Sequence, residues 1–265
     1  LEKELNARLF VRNTKEVKLS DDGKDLYRYA RQMIDLQKKI EERFETGKEE
    51  SKHLITIAAS TIPAQYLLPK ILMKFNERYP KEQVKLLETD SSQVITQIID
   101  HMVDVGFTGT VLEKKHCKYI PFYKDELVVI TPNTEKYQKL QEDMPDDISW
   151  IGGEHLIMRE EGSGTRKEAG KQLRAAGINL DKLKIIASIE NQETIKKSVR
   201  QGMGISVISR LAAEDEVKYG DILAFPIPKA DQGRDINLVY NKNYQMSKST
   251  ERFVKIVKEI YGIEE

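Results

Sequence analysis

Three polar segments, each following an apolar run, carry the side chains best suited to bind a ligand. In residues 58–63 (AASTIP), Ser60 and Thr61 precede a proline that suits the first turn of a helix. Backbone amides and hydroxyl groups at the start of a helix bind anions well. A hydroxyl at such a position more commonly caps the helix. Taken alone, this segment favours capping, and an anion site is the alternative.

The second segment, residues 159–166 (REEGSGTR), has the strongest signal for anion binding. Gly162 and Gly164 allow a tight turn that exposes backbone amides. Hydroxyl groups and cations come from Ser163, Thr165, Arg159 and Arg166. The segment lacks the third glycine of a dinucleotide-binding loop and the Gly-Lys-Ser/Thr of a P-loop. We predict an anion-binding loop here, with a tight capped turn as the alternative.

The third segment, residues 190–194 (ENQET), has a weaker signal. Asn191 is a suitable helix cap, and Gln192 or Glu193 is then placed to face a ligand. Ligands of open α/β sheets lie at the carboxyl ends of strands, facing helix N-termini. All three strand–helix junctions are therefore candidate ligand-binding positions.

Conventional catalysis and metal binding have little support in the sequence. The four histidines lack metal-ligand spacing, and no Gly-x-Ser-x-Gly motif occurs. We expect no metal, no cofactor and no enzymatic activity. Basic and acidic residues balance at 43 each, and one cysteine, Cys117, suits a reducing compartment. No apolar run reaches the roughly 18 residues of a membrane span, so we expect a cytoplasmic protein.

From residue 53 onward, short apolar strands alternate with amphipathic helices. This order predicts α/β layers with a mostly parallel sheet. More than 200 residues of this pattern are long for one small sheet, so two lobes are expected. The pattern predicts a continuous helix over residues 62–79 and no strand between residues 218 and 235.

Residues 20–47 are predicted to form one long helix with Ser20 as its N-cap. Its apolar side chains recur every three or four positions, at Leu26, Ala30, Met33, Leu36, Ile40 and Phe44. A helix of this length with one narrow stripe needs a partner, either its own domain or a second copy. Residues 1–8 are expected to end a helix and to precede a hairpin with residues 13–15 at its tip. The first twenty residues carry a net charge of +2, which suits a phosphate backbone or simply a solvated surface.

Residues 1–12 (LEKELNARLFVR) and 17–23 (VKLSDDG) resemble the second half of the winged helix-turn-helix of LysR-type transcriptional regulators. In that family the linker helix starts with Leu-Thr-x-x-Gly, and Ser20 stands here where threonine is usual. The long helix and the α/β remainder follow the family's order, so the resemblance covers the whole chain. It implies that the first helices of the DNA-binding domain are absent from this fragment, which should then bind operator DNA poorly.

The resemblance implies an α/β fold with two Rossmann-like subdomains of the periplasmic-binding-protein type. A long linker helix and the remnant of a winged helix-turn-helix precede them. The implied boundaries are 1–19 for the remnant, 20–51 for the linker and hinge, 52–124 with 226–265 for subdomain I, and 125–225 for subdomain II. The crossovers between subdomains are expected near residues 123–127 and 223–228. Family members are usually homotetramers with paired linker helices.

The resemblance also implies the functional residues. The implied effector-binding positions, in a cleft between the subdomains, are Ser60, Thr61, Thr108, Ser163, Gly164, Thr165, Gln192 and Glu193. The implied contacts to DNA phosphates are Arg12, Asn13, Thr14 and Lys15, which position the protein without reading bases. A hydroxyl-rich cleft suits a small oxyanion, and the family's regulators of sulfur assimilation are similar in this respect. Sulfate, thiosulfate or an acylated serine is the leading effector, with a carboxylate metabolite close behind.

The sequence therefore predicts a ligand-responsive, DNA-binding transcriptional regulator that senses a small anionic metabolite. One alternative is the solute-binding protein of a transport system, which would leave residues 1–47 without a role. The other is an anion-handling enzyme that uses Arg166 and a dispersed acid or base, which would require a strongly perturbed titratable group in the cleft.

Overall fold

The computed structural model describes residues 1–12, 17–44, 54–228 and 233–263. Its helices are α1 (Glu2–Leu5), α2 (Asp21–Phe44), α3 (Leu68–Arg78), α4 (Ser91–Ile99), α5 (Glu135–Asp143), α6 (Gly164–Ala175), α7 (Gln192–Arg200), α8 (Arg210–Lys218) and α9 (Lys248–Tyr261). Its strands are β1 (Phe10–Arg12), β2 (Val17–Leu19), β3 (Leu54–Ala59), β4 (Gln83–Glu88), β5 (Val105–Thr108), β6 (Cys117–Asp125), β7 (Leu127–Pro132), β8 (His155–Met158), β9 (Lys184–Ser188), β10 (Ile205–Ser209), β11 (Ile222–Pro226) and β12 (Arg234–Asn241).

The first large sheet has the strand order β4-β3-β5-β12-β6 and forms what we call lobe I. Its inner strand β3 is largely apolar because helices cover both faces and alternate side chains point to opposite faces. Ile57 packs with α3 and α9, whereas Ala58 packs with α4. Edge-to-face contacts join Phe253 of α9 to Phe75 at 5.2 Å and to Phe107 at 6.2 Å between ring centroids. These contacts fix β3 and β5, whose carboxyl ends carry the polar loops.

The second large sheet, β11-β7-β10-β8-β9, forms what we call lobe II. Its strand β7 is buried over its whole length, which explains the apolar run of residues 127–130. Leu127 and Val129 pack on the side of α5 and α6, and Val128 and Ile130 pack with α7 and α8. The apolar side chains on the α7 and α8 side of this sheet are continuous with the core around α3 in lobe I. The two lobes therefore pack against each other.

The chain crosses between the lobes twice. The first crossover is Glu126, between β6 and β7, and the second is residues 227–233, between β11 and β12. The first crossover was predicted near residues 123–127, which include Glu126. The second was predicted near residues 223–228, but residues 223–226 belong to β11. The predicted subdomain boundaries lie between residues 124 and 125 and between residues 225 and 226. They stay predictions, and each lies one residue before the end of a strand, β6 and β11 respectively.

Two sequence predictions for these sheets are wrong. No strand was expected between residues 218 and 235, yet β11 forms there and pairs antiparallel with β7. The expected mostly parallel sheet is in fact mixed, because β7 pairs antiparallel with β10, and β12 pairs antiparallel with β5 and β6. The cause is the double crossover. The strands that follow the two crossovers, β7 and β12, run opposite to their neighbours β10 and β5.

The helix predicted over residues 62–79 is also not uniform. It opens with a π-helical turn, Pro63–Leu67, in which the amide of Leu68 donates to the carbonyl of Pro63, and only then becomes α3. Pro69 lacks the amide that would donate to the carbonyl of residue 65, so a regular α-helical bond is missing at this point. Such π-turns are frequent at functional sites, and this one directly follows the loop of Ser60.

The N-terminal part consists of α1, the β1–β2 hairpin and α2. The helix predicted over residues 1–8 is shorter, because Asn6 adopts a left-handed conformation (φ 48°) and ends α1. The described part of the predicted long helix is α2, and residues 45–51 of the predicted linker and hinge lie outside the described residues. In the described segments, no helix combines the length and the apolarity that crossing a membrane requires.

Candidate functional site

A small polar cavity lies between the lobes, at the carboxyl ends of β3, β4 and β8. We call it the interlobe cavity. Lobe I contributes Ser60, Thr61, Ile62, Thr89, Asp90, Ser91, Gly109 and Arg234, and lobe II contributes Arg159, Glu160, Ser163, Gly164 and Thr165. Two of the three predicted strand–helix junctions, from opposite lobes, therefore meet at one site.

The loop after β3 places its hydroxyls in the cavity without using them as helix caps. The amide of Ser60 donates to the carbonyl of Phe107 at 2.9 Å, which ties this loop to the end of β5. The helix that follows begins at Thr61, and Ser60 holds its N-cap position because the amide of Ala64 donates to the carbonyl of Ser60 at 3.0 Å. Among the described residues, however, no helix amide donates to the hydroxyl of Ser60 or Thr61. Of the two readings that the sequence left open for Ser60 and Thr61, capping is therefore not what the structure shows.

The loop after β8 forms the opposite wall. Ser163 caps α6, because its Oγ accepts from the amide of Arg166 at 3.3 Å, and Gly164 and Thr165 form the first turn of that helix. The Arg166 guanidinium donates to the carbonyl of Arg159 at 2.9 Å. Arg166 thus shapes the loop and does not line the cavity, whereas Arg159 does.

Arg159 is the cation of this wall. It is 6% exposed and forms a two-pronged ion pair with Glu160, from Nε at 2.8 Å and from Nη2 at 3.0 Å. The pairing neutralises the buried charge, as a buried guanidinium requires. Arg159 can therefore offer further directed hydrogen bonds without adding net charge to the cavity.

Of the lobe I wall, the sequence predicted Ser60 and Thr61 alone, and the residues it did not predict include two charged ones, Asp90 and Arg234. Asp90 caps α4 by accepting from the amides of Ser92 and Gln93 at 2.8 and 2.9 Å, and its carboxylate lies opposite Gly162 of lobe II. The run Asp-Ser-Ser after strand β4 was a usable signal for it, of the same kind as AASTIP. Arg234 begins β12 in a charged stretch that has no such signal.

The cavity is small. Its volume is about 20 Å³, which is room for about one water molecule. A Cβ at Gly164 would lie 2.4 Å from Thr110 Oγ1 of lobe I, so the lobes are in direct contact at this glycine. A ligand larger than a water molecule therefore does not fit between the two walls in this arrangement.

Three predicted effector residues do not line the cavity. The hydroxyl of Thr108 is used locally, in bonds of 3.1 Å with the amide and the carbonyl of Thr110. Gln192 is 2% exposed, and neither its amide nitrogen nor its amide oxygen has a hydrogen-bond partner in the described ranges. Such an unsatisfied buried amide is rare and needs a water or a ligand.

Glu193, also predicted, bonds Lys196 at 2.8 Å on the same helix. Lys196 in turn bonds Glu216 at 2.6 Å. Burial disfavours the charge of Lys196, but the hydrogen bonds to both carboxylates outweigh this effect and raise its pKa. Glu193 thus belongs to a structural ion-pair cluster.

The predicted DNA contacts cannot be placed in the same way. Arg12 is the last residue of β1, and Asn13, Thr14 and Lys15 lie outside the described residues. Within the described part of the chain, no three His, Cys, Asp or Glu side chains come together as a metal ion would need.

A larger cavity, of about 480 Å³, lies between α2 and lobe I and is lined by Tyr27, Arg31 and His101 among others. It faces the amino ends of β3 and β5 and contains none of the polar loops described above. Ligands of α/β sheets lie at the opposite, carboxyl ends of the strands, so size alone does not make it the functional site.

Two α/β lobes that are joined by two crossovers and enclose a polar cavity define a ligand-binding protein of the periplasmic-binding-protein type. Residues 48–261 match the family described as the LysR substrate binding domain. The chain therefore belongs to the LysR family of transcriptional regulators, and the family and fold predicted from the sequence are confirmed.

Individual relatives agree with this assignment. The chain is 28% identical over 260 residues to MJ0300 of Methanocaldococcus jannaschii, described as an uncharacterized HTH-type transcriptional regulator, covering 98% of this chain and 86% of that protein. The Synechocystis CcmR regulatory domain, solved in complex with 2-PG, matches with a TM-score of 0.69 and 24% identity, covering 79% of this chain and 98% of that one. The QuiR effector-binding domain, solved with shikimate, matches with a TM-score of 0.70 and 17% identity, covering 80% and 98%.

Proposed function

We propose that this regulator senses a small anionic metabolite in the interlobe cavity. The observation that carries the proposal is that hydroxyls, helix-start amides and one buried arginine from each lobe surround a single cavity. Similar domains have been solved with shikimate and with 2-PG, which supports a small metabolite as the effector. The proposed contacts are Ser60 and Thr61 from lobe I with Ser163, Gly164 and Thr165 from lobe II.

The charges around the cavity indicate the class of anion. Arg159 pairs with Glu160 and Arg234 pairs with Asp125, so both cations of the lining are already compensated. A net-neutral cavity offers hydrogen bonds but little net attraction, so each additional negative charge on a ligand loses hydration without compensation. We therefore favour a carboxylate metabolite over a dianion such as sulfate.

The proposed response is a change in the angle between the lobes. An effector that contacts both walls stabilises one arrangement over the other, by no more than its difference in affinity for the two. The change would reach operator DNA through α2, whose exposed apolar side chains include Tyr29, Met33 and Ile40. We propose that these side chains pair α2 with the α2 helix of a second copy. We also propose that Arg12 and residues 13–15 contact the phosphates of operator DNA. The protein would act in the cytoplasm and without enzymatic turnover.

Ligand-dependent thermal stability tests the proposal. Sulfate, phosphate and a panel of small carboxylates are added to the wild-type chain and to Ser60→Ala and Thr165→Ala variants. A ligand at 100 times its dissociation constant should stabilise the wild type by roughly 2.7 kcal/mol. Each variant should lose most of this gain while its ligand-free melting temperature stays close to that of the wild type. Equal stabilisation of all three proteins would remove the cavity assignment.

Glu193→Ala serves as the matched control. Glu193 was predicted to bind the effector but pairs with Lys196 outside the cavity. We expect this variant to keep the wild-type response to every anion in the panel. Sulfate stabilising more strongly than every carboxylate would contradict the preference for a carboxylate.

A further inference from the structure

Three buried residues form a charged junction where the two lobes are joined. Asp125 is 1% exposed, and its Oδ2 accepts from Nε of Arg234 at 2.9 Å and from Nη2 at 2.8 Å. Its other oxygen, Oδ1, accepts from the hydroxyl of Ser209. Removing one partner of such a buried ion pair leaves an uncompensated charge and is strongly destabilising. The pairing therefore fixes the position of the Arg234 guanidinium.

The three residues come from the places where the chain changes lobe. Asp125 is the last residue of β6, directly before the first crossover, and Arg234 is the first residue of β12, directly after the second. Gly233 (φ 59°) packs against the first crossover so closely that a Cβ would lie 2.7 Å from the carbonyl oxygen of Asp125. Ser209 ends β10 in lobe II, so its bond to Asp125 joins the lobes.

Arg234 also reaches the interlobe cavity. Its guanidinium packs over Gly109, where a Cβ would lie 3.2 Å from Arg234 Cζ. Both Nε and Nη2 are used by Asp125, and no residue in the described ranges accepts a hydrogen bond from Nη1. Arginine presents donors in a planar fork that matches a carboxylate, so one side of this guanidinium is left for a ligand.

We propose that Arg234 contacts the effector's anionic group, and that Asp125 and Ser209 position it so that occupancy of the cavity is linked to the junction of the lobes. The inference rests on the proposed function, because it places the anion in the interlobe cavity. The Ser209–Asp125 bond forms only where the end of β10 lies against the end of β6. Asp125 holds the Arg234 guanidinium in place. An effector that binds this guanidinium therefore favours the lobe arrangement that keeps the Ser209–Asp125 bond.

The link between the lobes is tested without any ligand, by amide hydrogen exchange of the full chain. Ser209→Ala removes the interlobe hydroxyl. Ser206→Ala is the matched control, since Ser206 is buried on the same strand but donates to the carbonyl of Ile157 within lobe II, at 2.7 Å. Ser209→Ala should speed exchange in the lobe I loops at residues 59–62 and 107–110 by about fivefold, the effect of one hydrogen bond of typical net strength.

In the same experiment, Ser206→Ala should leave those two lobe I loops at the wild-type rate, and Ser209→Thr, which keeps the hydroxyl, should restore it. If Ser209→Ala and Ser206→Ala change the lobe I loops equally, the link between the lobes is wrong. This result does not depend on which anion binds, so it judges the inference separately from the proposed function.

The contact with the effector is tested with sulfate and acetate as probes. Arg234→Lys keeps the positive charge but loses the fork, and should weaken the binding of acetate at least tenfold. Arg210→Lys is the control, because Arg210 bonds Glu126 at the first crossover and does not line the cavity. Equal acetate affinity in both variants would overturn the contact. If neither probe stabilises the wild type, the proposed anion site fails together with the contact, and the exchange experiment still decides the link.

Discussion

Replacing Gly164 with alanine should hold the lobes apart without removing any group that binds the effector. The new Cβ would lie 2.4 Å from Thr110 Oγ1 and 3.0 Å from Ser91 Oγ, both in lobe I. Overpacking of this kind costs about 1–3 kcal/mol, whereas alanine favours the helix by at most about 1 kcal/mol over glycine. Because the helix preference acts equally on the open and closed arrangements, only the overpacking shifts the balance between them, and its cost of about 1–3 kcal/mol reduces the population of the closed arrangement relative to the open one by about 5- to 150-fold.

Small-angle scattering of the chain measures this shift as a larger radius of gyration, and hydrogen exchange measures it as faster exchange in both cavity walls. Gly170→Ala is the matched control on the same helix, because its Cβ would meet two side chains of lobe II, Leu180 at 3.4 Å and Arg174 at 3.9 Å. Adding Thr110→Ala to Gly164→Ala removes the clashing hydroxyl and should restore closure. If Gly164→Ala and Gly170→Ala give the same dimensions and the same exchange, contact between the lobes at Gly164 does not control the opening.

Two further predictions concern other parts of the chain. Met33 is 73% exposed on α2, so Met33→Glu should place a charge in the proposed pairing of two α2 helices and convert a dimer to a monomer. Light scattering at micromolar concentration measures this change. A wild-type chain that is already monomeric would contradict the pairing. Burial raises the pKa of the Cys117 thiol to about 11, so roughly one thiol in a thousand is ionised at pH 8. Iodoacetamide should therefore react with Cys117 only after unfolding in urea, and rapid alkylation of the native chain would show that the thiol is accessible.

The parts of the site that follow from local rules could be predicted from the sequence. AASTIP and REEGSGTR each place hydroxyls or glycines directly after an apolar strand, and the fold brings exactly such strand ends together at one edge. The sequence could not decide whether Ser60 caps a helix or faces a cavity. That choice depends on the bond from its amide to Phe107, a residue on another strand.

The remaining features depend on long-range pairing. Asp125 and Arg234 are 109 positions apart, and neither has a local signal that points to the other. The strand β11 was missed because Ile222–Pro226 is short and ends in proline, which reads as a loop; its pairing with β7 comes from the position of the crossover. The same crossovers explain why the sheets are mixed when the alternation of strands and helices predicted mostly parallel ones.

A crystal structure of the chain with the small carboxylate that stabilises it most in the thermal screen tests the central claim most directly. The account predicts electron density for that anion between Ser60 and Thr165, within hydrogen-bond distance of Arg234, in a cavity wider than the one described here and with the Ser209–Asp125 bond kept. Density for the anion beside α2 and His101, or elsewhere outside the interlobe cavity, would contradict it.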